Sequence, residues 1–277
     1  MRRTAFFLLV MIGLAACTGG SYNLADLAPT AAPPATTASV VTPFSVAVRN
    51  PRFDDRRPVE WPGRQPWQYE VHGTDVSRYQ SEIDWDKARR SGISFVFIKA
   101  TEGGSLLDPM FENHWRGATR AGIARSAYHF FYFCRPAIEQ AQWFIRNVPR
   151  DRTAMPHVLD VEWNHLSPTC RLRPPAAEVQ REMKVFLDAL ERHYGKRPII
   201  YTTIDFYRDN RLHEFKGYDW WLRSVAAHPT ARYPGERYRF WQYTGTGIVP
   251  GIDGDADINV FNGSLDQWQA WLRSHTQ

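Results

Sequence analysis

The chain of 277 residues predicts an α/β fold, a small and incomplete β/α barrel, on three observations. Apolar runs of strand length recur after Tyr69. Helical patterns that stop at glycine separate the first of these runs, which makes repeated strand-helix units and hence a parallel sheet. The spacing then shortens until little helical pattern is left between strands. An open doubly wound sheet is the alternative, but the chain has no G-x-G-x-x-G after a first strand and no G-x-x-x-x-G-K-[ST], so the usual nucleotide-binding reasons for that fold are missing.

Taken in order, the chain opens with Met1-Arg2-Arg3 and the apolar run Ala5 to Ala16. Twelve residues are too few for a bilayer span of about 20, so residues 1–16 read as a secretory signal. The run ends Leu14-Ala15-Ala16-Cys17, which resembles the lipobox of bacterial lipoproteins, with Cys17 as the residue that would carry the lipid. An ordinary signal with Cys17 incidental is the other reading. Thr18 in place of Asp after the cysteine resembles outer-membrane sorting signals, so an exported lipoprotein of the cell envelope, on the periplasmic face, is expected. Removal of Arg2 and Arg3 lowers the formal charge of +5 by two, too mild a bias for a nucleic-acid surface. Residues 17–68 are rich in Ala, Thr and Pro and then Arg and Pro, without apolar period, and read as a flexible tether in which Trp61 and Trp67 pack against the domain's edge.

Residues 69–277 form the expected barrel domain. Its strands are expected at Glu70–Asp75, Ile93–Lys99, Ala124–Phe131, His157–Glu162, Pro198–Thr202, Tyr218–Leu222, Tyr238–Tyr243 and Asp257–Phe261. The clearest helix runs from Pro175 to Tyr194, where Val179, Met183, Phe186, Leu187, Leu190 and Tyr194 make one stripe before Gly195. A second starts at Asp108-Pro109 and stops at Gly122, and Gly92 ends a shorter one. Cys134 follows the third strand and Cys170 follows the fourth, so they sit on neighbouring loops and are expected to be bonded in an oxidising compartment.

The chemistry is expected at strand ends, where Asp75, Asp160, Glu162 and Asp257 fall. In a parallel barrel, C-terminal strand ends converge on one mouth. Asp160 and Glu162 are two apart on one strand and point to the same side, with Cα atoms about 6.6 Å apart at about 3.3 Å per residue. Like charges so close disfavour double ionisation, so one of them should hold its proton near neutral pH, as a general acid must. Asp253 to Asn259 alternates carboxylates as a calcium loop does, but the sixth position is Ile258 and the twelfth Ser264, so no metal and no cofactor is expected. Serine-hydrolase and zinc-protease motifs are absent, and His72 and His129 read as structural or substrate-contacting groups rather than ligands.

The segments HGTDVSRYQ, FVFIKATEG, SAYHFF, VLDVEW, IIYTT, FWQYT and GIDGDADINVFNGS, in this order, resemble glycoside hydrolase family 25, the Chalaropsis-type lysozymes, over residues 71 to about 265. The resemblance implies a TIM-like (β/α)5(β)3 barrel and hydrolysis of the β-1,4 bond from N-acetylmuramic acid to N-acetylglucosamine in peptidoglycan. It places the acidic cluster on Asp75, Asp160, Glu162 and Asp257, and sugar contacts on Tyr128, Tyr201, Trp221 and Gln242. Ser105-Leu106-Leu107 and Leu222-Arg223-Ser224-Val225 depart from the family pattern, which bears on subsite affinity. The partner expected is a peptidoglycan glycan strand, met by a monomer held to the membrane only through its N-terminal lipid. Glu162 is expected to act as the acid, and Asp160 to orient the substrate's 2-acetamido group, with Asp75 and Asp257 on the other side. An inverting reaction with Asp257 or Asp75 as base is the rival. A wall-binding lipoprotein that has lost turnover is the non-enzymatic alternative.

Overall fold

A computed structural model describes residues 50–276; the signal segment, Cys17 and the first part of the tether lie outside the described residues. The strands are β1 (Asp54–Asp55), β2 (His72–Val76), β3 (Ile93–Glu102), β4 (Leu106–Leu107), β5 (Ala124–Phe130), β6 (Val158–Val161), β7 (Ile199–Thr202), β8 (Asp219–Arg223), β9 (Phe240–Ile248) and β10 (Ala256–Phe261). The helices are α1 (Trp85–Ser91), α2 (Phe111–Arg120), α3 (Ala137–Asn147), α4 (Ala176–Tyr194), α5 (Ile204–Asp209), α6 (Pro229–Arg232) and α7 (Leu265–His275). Eight strands close on themselves in the order β2-β3-β5-β6-β7-β8-β9-β10, with β10 pairing back onto β2. Seven of these strands run parallel to one another, and β10 runs antiparallel to both β9 and β2.

Each barrel strand alternates between two cores, as a period of two requires. Outward residues such as Val96, Ile98, Leu159, Val161, Ile200 and Leu222 meet the apolar faces of the helices. Inward residues such as Phe95, Phe97, Val158, Tyr201, Trp221, Phe240 and Phe261 fill the barrel. Gly73 is the inward residue of β2 opposite Phe95, and a Cβ there would lie 2.4 Å from the Phe95 ring, so only glycine lets the ring enter.

The α4 stripe is buried as its spacing predicts, and Gly195 caps the helix at φ 70°. Helices α3 and α7 are not among those the sequence predicts. In α3 the buried face of Ala137, Ala141 and Phe144 is interrupted by Gln140, which is buried because its amide bonds Tyr132 N, Tyr132 O and Arg135 O and meets His129 Nε2 at 3.1 Å. Thr101 Oγ1 lies 2.7 Å from the other ring nitrogen of His129, and burial lowers this imidazole to about 4, so His129 is a neutral structural group. In α7, Ser264 and Gln267 form a capping box, and Trp268 and Trp271 plug the barrel floor against Phe95, Phe240 and Phe261.

Residues 50–68, which composition grouped with the tether, are ordered against the barrel. Asp54 and Asp55 pair with Ile248 and Gly247 of β9, and Trp61 packs its ring 5.5 Å from that of Trp241. Arginine and proline hid this, because the segment is held by edge pairing and aromatic contact rather than by an apolar period of its own.

Cys134 and Cys170 form a disulfide with Cα atoms 5.7 Å apart, joining the loops after β5 and β6. Closing a stretch with a sequence separation of 36 restricts the unfolded chain. Replacing both cysteines by serine should cost about 2–4 kcal/mol in urea unfolding at neutral pH, an effect that reductant should reproduce in the parent chain.

Candidate active site

The mouth of the barrel opens into a cleft of about 710 Å3 lined by Asp75, Asp160, Glu162 and Asp257, and by Tyr128, Tyr201, Trp221 and Gln242. All eight residues expected from the sequence therefore meet in one place. Three of the carboxylates arrive there on parallel strands. Asp75 lies near the end of β2, Asp160 lies near the end of β6, and Glu162 follows that strand's last residue. Asp257 corrects the convergence argument. It stands at the N-terminal end of β10, and it reaches the same mouth because β10 runs the other way, in register opposite Asp75.

Beneath the cleft the floor is a chain of hydrogen bonds that ends on the Asp75 carboxyl. Tyr201 Oη donates to Gln242 Oε1 (3.0 Å), and Gln242 Nε2 donates to Asp75 Oδ2 (2.9 Å). Asn259 Nδ2 donates to the same oxygen (2.7 Å) and is itself oriented by Trp221 Nε1, which donates to Asn259 Oδ1 (2.7 Å). Trp221 stacks on Phe97, with ring centroids 4.2 Å apart, so the aromatic core of the barrel fixes the network from below. Gln242 and Tyr201 thus position Asp75 as well as lining the cleft.

All four carboxyls are raised above their ordinary range, chiefly by burial. Asp75 reaches only about 6, because the two amide donors and the Arg223 guanidinium favour its charged form. Asp160 is pushed well up by burial and then by the neighbouring Glu162. Glu162 is raised by burial and held back by Arg223, and Asp257 is raised well up by burial and by Asp75 across the ladder. Exposure separates the four further. Asp75 and Asp160 are buried, whereas Glu162 and Asp257 retain partial access to the cleft. Among the described residues no protein group hydrogen-bonds Asp160 Oδ1, although that oxygen is buried.

Three further groups at the site have no assignment from the sequence, two lining the cleft and one beneath it. Arg223 is one cation facing the acidic cluster, Asn259 holds Asp75, and Lys99 is a second cation, on the side of Asp160, with its ammonium 2.5 Å from Glu102 Oε2. Each lies two residues from a residue already assigned an inward or site position (Trp221, Asp257 and Phe97), so the strand period carried the signal. His72 is buried at the other end of β2, where Nε2 lies 3.1 Å from Tyr69 O, and it takes no part in the cleft. The segment Leu106–Leu107 forms a short hairpin strand on the tip of β3, outside the cleft.

Paired carboxyls with raised affinity for protons, set among aromatic faces in an open cleft on a barrel, define a site for acid-assisted cleavage of a sugar bond. The chain belongs to the glycoside hydrolases of family 25: residues 74–252 match the model described as Glycosyl hydrolases family 25. It is 40% identical over 217 residues to the Escherichia coli (strain K12) protein named Uncharacterized protein YegX, covering 76% of each chain. It is 34% identical over 210 residues to Lysozyme M1 of Streptomyces globisporus, covering 70% of this chain and 68% of that one. A family 25 glycosyl hydrolase from Bacillus anthracis superposes with a TM-score of 0.66 at 35% identity, over 73% of this chain and 94% of that one.

The raised affinity of Asp75 for protons fixes a sign. Its carboxyl binds protons more tightly folded than unfolded, so its contribution to stability is complete below its ordinary value of 3.8 and is lost as pH rises through about 6. Asp75→Asn keeps an acceptor for both amides and never ionises. It should be more stable than the parent chain at pH 7.5 by about 1–3 kcal/mol, with the gap closing below about pH 4, as urea titrations at the two pH values would show.

Proposed function

We propose that the chain is a lysozyme, an N-acetylmuramidase that cleaves the β-1,4 bond between N-acetylmuramic acid and N-acetylglucosamine. The observation that carries this reading is the convergence of Asp75, Asp160, Glu162 and Asp257 on one cleft in a chain of family 25. The relative named Lysozyme M1 supports the choice of peptidoglycan as substrate. We read the barrel as the (β/α)5(β)3 arrangement. In support, α1 to α5 follow the first five barrel strands β2, β3, β5, β6 and β7, and β8, β9 and β10 complete the ring. Tyr128, Tyr201, Trp221 and Gln242 serve as sugar contacts in this reading, with the aromatic rings offering faces to the pyranoses.

Glu162 is the general acid. It reaches the cleft, its carboxyl is raised by burial, and no protein group among the described residues hydrogen-bonds it, so its proton is available to the leaving glycosidic oxygen. Asp160 shares its strand and side, which places it poorly for attack across the sugar from Glu162. Its carboxyl lines the cleft beside Glu162, which suits it to accept from an acetamido N–H instead. The acetamido oxygen then attacks the anomeric carbon as the Glu162 proton passes to the leaving oxygen. Water opens the resulting oxazolinium and returns a proton to Glu162. Asp257, facing Asp75 across the ladder, steadies the acetamido group or the water from the other side.

The rest of the chain fits an enzyme delivered to the wall. Residues 1–16 serve as a lipoprotein signal, Cys17 carries the lipid, and the tether holds the barrel, as a monomer, at the periplasmic face of the envelope, with the outer membrane the favoured site. Radiolabelled palmitate should enter the full chain in a bacterial host and should be lost in Cys17→Ala; equal labelling of both would remove Cys17 as the anchor.

Glu162→Gln should lower turnover on purified peptidoglycan by at least about a hundredfold with the thermal transition unchanged. Activity within about tenfold of the parent chain would sink the assignment. On the parent chain, proton NMR should show the β-anomer formed first, with inhibition by a thiazoline analogue of the sugar. The α-anomer appearing first would select the inverting rival with Asp257 or Asp75 as base.

A further inference from the structure

The segment from Pro51 to Trp67 builds one wall of a second groove, about 700 Å3 in volume, that adjoins the catalytic cleft. Arg223 and Val225 line both, so the two are continuous around the end of β8. The family match begins at residue 74, so this wall lies outside the matched region.

The wall is fixed in place. Beyond the β1–β9 pairing, Arg56 N donates to Thr246 O (2.9 Å), Thr246 Oγ1 donates to Asp55 Oδ1 (2.7 Å), and Arg56 pairs with Asp255 at 2.8 Å. The Arg64 guanidinium stacks 3.7 Å over the Tyr69 ring. On this frame Trp67 is left 42% exposed, although it sits beside a barrel with apolar surface to offer, and the Arg52 guanidinium lies 5.0 Å over its ring.

The charges of the groove are Arg52, Arg57 and Arg223 against Asp54 and Asp55. Asp55 is already bonded to Thr246 Oγ1 and to the Arg57 amide (2.8 Å). Among the described residues neither Arg52 nor Arg57 has a carboxylate within ion-pair distance. A polymer leaving the catalytic cleft past Arg223 therefore meets the half-exposed Trp67 with Arg52 over its ring, and two guanidiniums, Arg52 and Arg57, without a carboxylate partner among the described residues. In a peptide-bearing strand the lactyl carboxyl of muramic acid is consumed in the amide to the stem peptide, so the carboxylates such a strand offers are those of the peptide. Guanidinium groups bind carboxylates with two parallel hydrogen bonds, so they suit this occupant.

We propose that the groove walled by residues 51–67 is a stem-peptide subsite, in which Arg52 and Arg57 bind carboxylates of the peptide attached to the glycan strand cleaved next door. The proposal rests on the peptidoglycan reading above and adds to it a preference for peptide-bearing strands over bare ones.

The test compares the full chain with its Arg52→Gln/Arg57→Gln variant on two substrates, intact sacculi and sacculi stripped of stem peptides by an amidase. The variant should lose about tenfold in kcat/KM on intact sacculi, through KM with kcat unchanged, and stay within about twofold of the parent chain on stripped strands. Its thermal transition should match that of the parent. Equal loss on both substrates, or loss on neither, would overturn the proposal. Co-sedimentation with the same two preparations, which requires no turnover, separates this result from failure of the muramidase reading. If the parent chain cleaves neither substrate, its retention on intact over stripped sacculi, and the loss of that difference in the variant, still decides for the subsite; equal retention decides against it.

Discussion

Closure of the barrel through the antiparallel pairing of β10 with β2 is the constraint on which the site depends. This ladder sets Asp257 opposite Asp75, and it places Asn259 on the same inward face, where its amide reaches Asp75 Oδ2. Had the last strand run parallel, its N-terminal end would lie at the floor, and the fourth carboxylate would be lost to the aromatic plug of Trp268 and Trp271. The reversal also dispenses with a crossover helix between β9 and β10, which a short connection of seven residues from Val249 to Asp255 replaces.

Four carboxyls in so small a volume are costly, and the structure limits the cost in distinct ways. Asp75 is charge-stabilised by two amides and by Arg223, which holds its burial-raised carboxyl to about 6. Asp160 has only the Lys99 ammonium to favour its charge, and burial together with Glu162 holds it toward its neutral form. Glu162 and Asp257 reach the cleft, where substrate can take part in their charge balance. The result is a graded set of proton affinities within one cleft, the arrangement that lets one carboxyl donate a proton while others stabilise positive charge. Beneath them Phe97 stacks on Trp221, and Tyr201 tilts against the same indole, a packed ring cluster that keeps these groups from relaxing apart.

Arg223 links the two grooves as well as three of the four acids. It moderates Asp75, Glu162 and Asp257 on one side and lines the wall built by the N-terminal segment on the other. The segment carrying Trp61 and Trp67 therefore does more than lead into the domain, because it widens the edge of the sheet beside β9 into a surface next to the cleft.

All eight barrel strands, the α4 stripe with its Gly195 cap, the Cys134–Cys170 pair and the four acids were legible from the sequence, because each depends on local periodicity or on a residue type placed at a strand end. Helix α3 was hidden by Gln140, whose burial makes sense only once Tyr132, Arg135 and His129 surround it. The ordering of residues 50–68 was hidden because edge pairing and ring contacts with β9 leave no apolar period in the segment itself. Sequence alone determined which strands form and which face of each is apolar, since the 2.0 and 3.6 residue periods are properties of the backbone. Only the tertiary structure decided the direction of β10, the amide pair on Asp75 and the place of Arg223 among the acids, because strand direction and contacts between distant residues are set by how the ring closes.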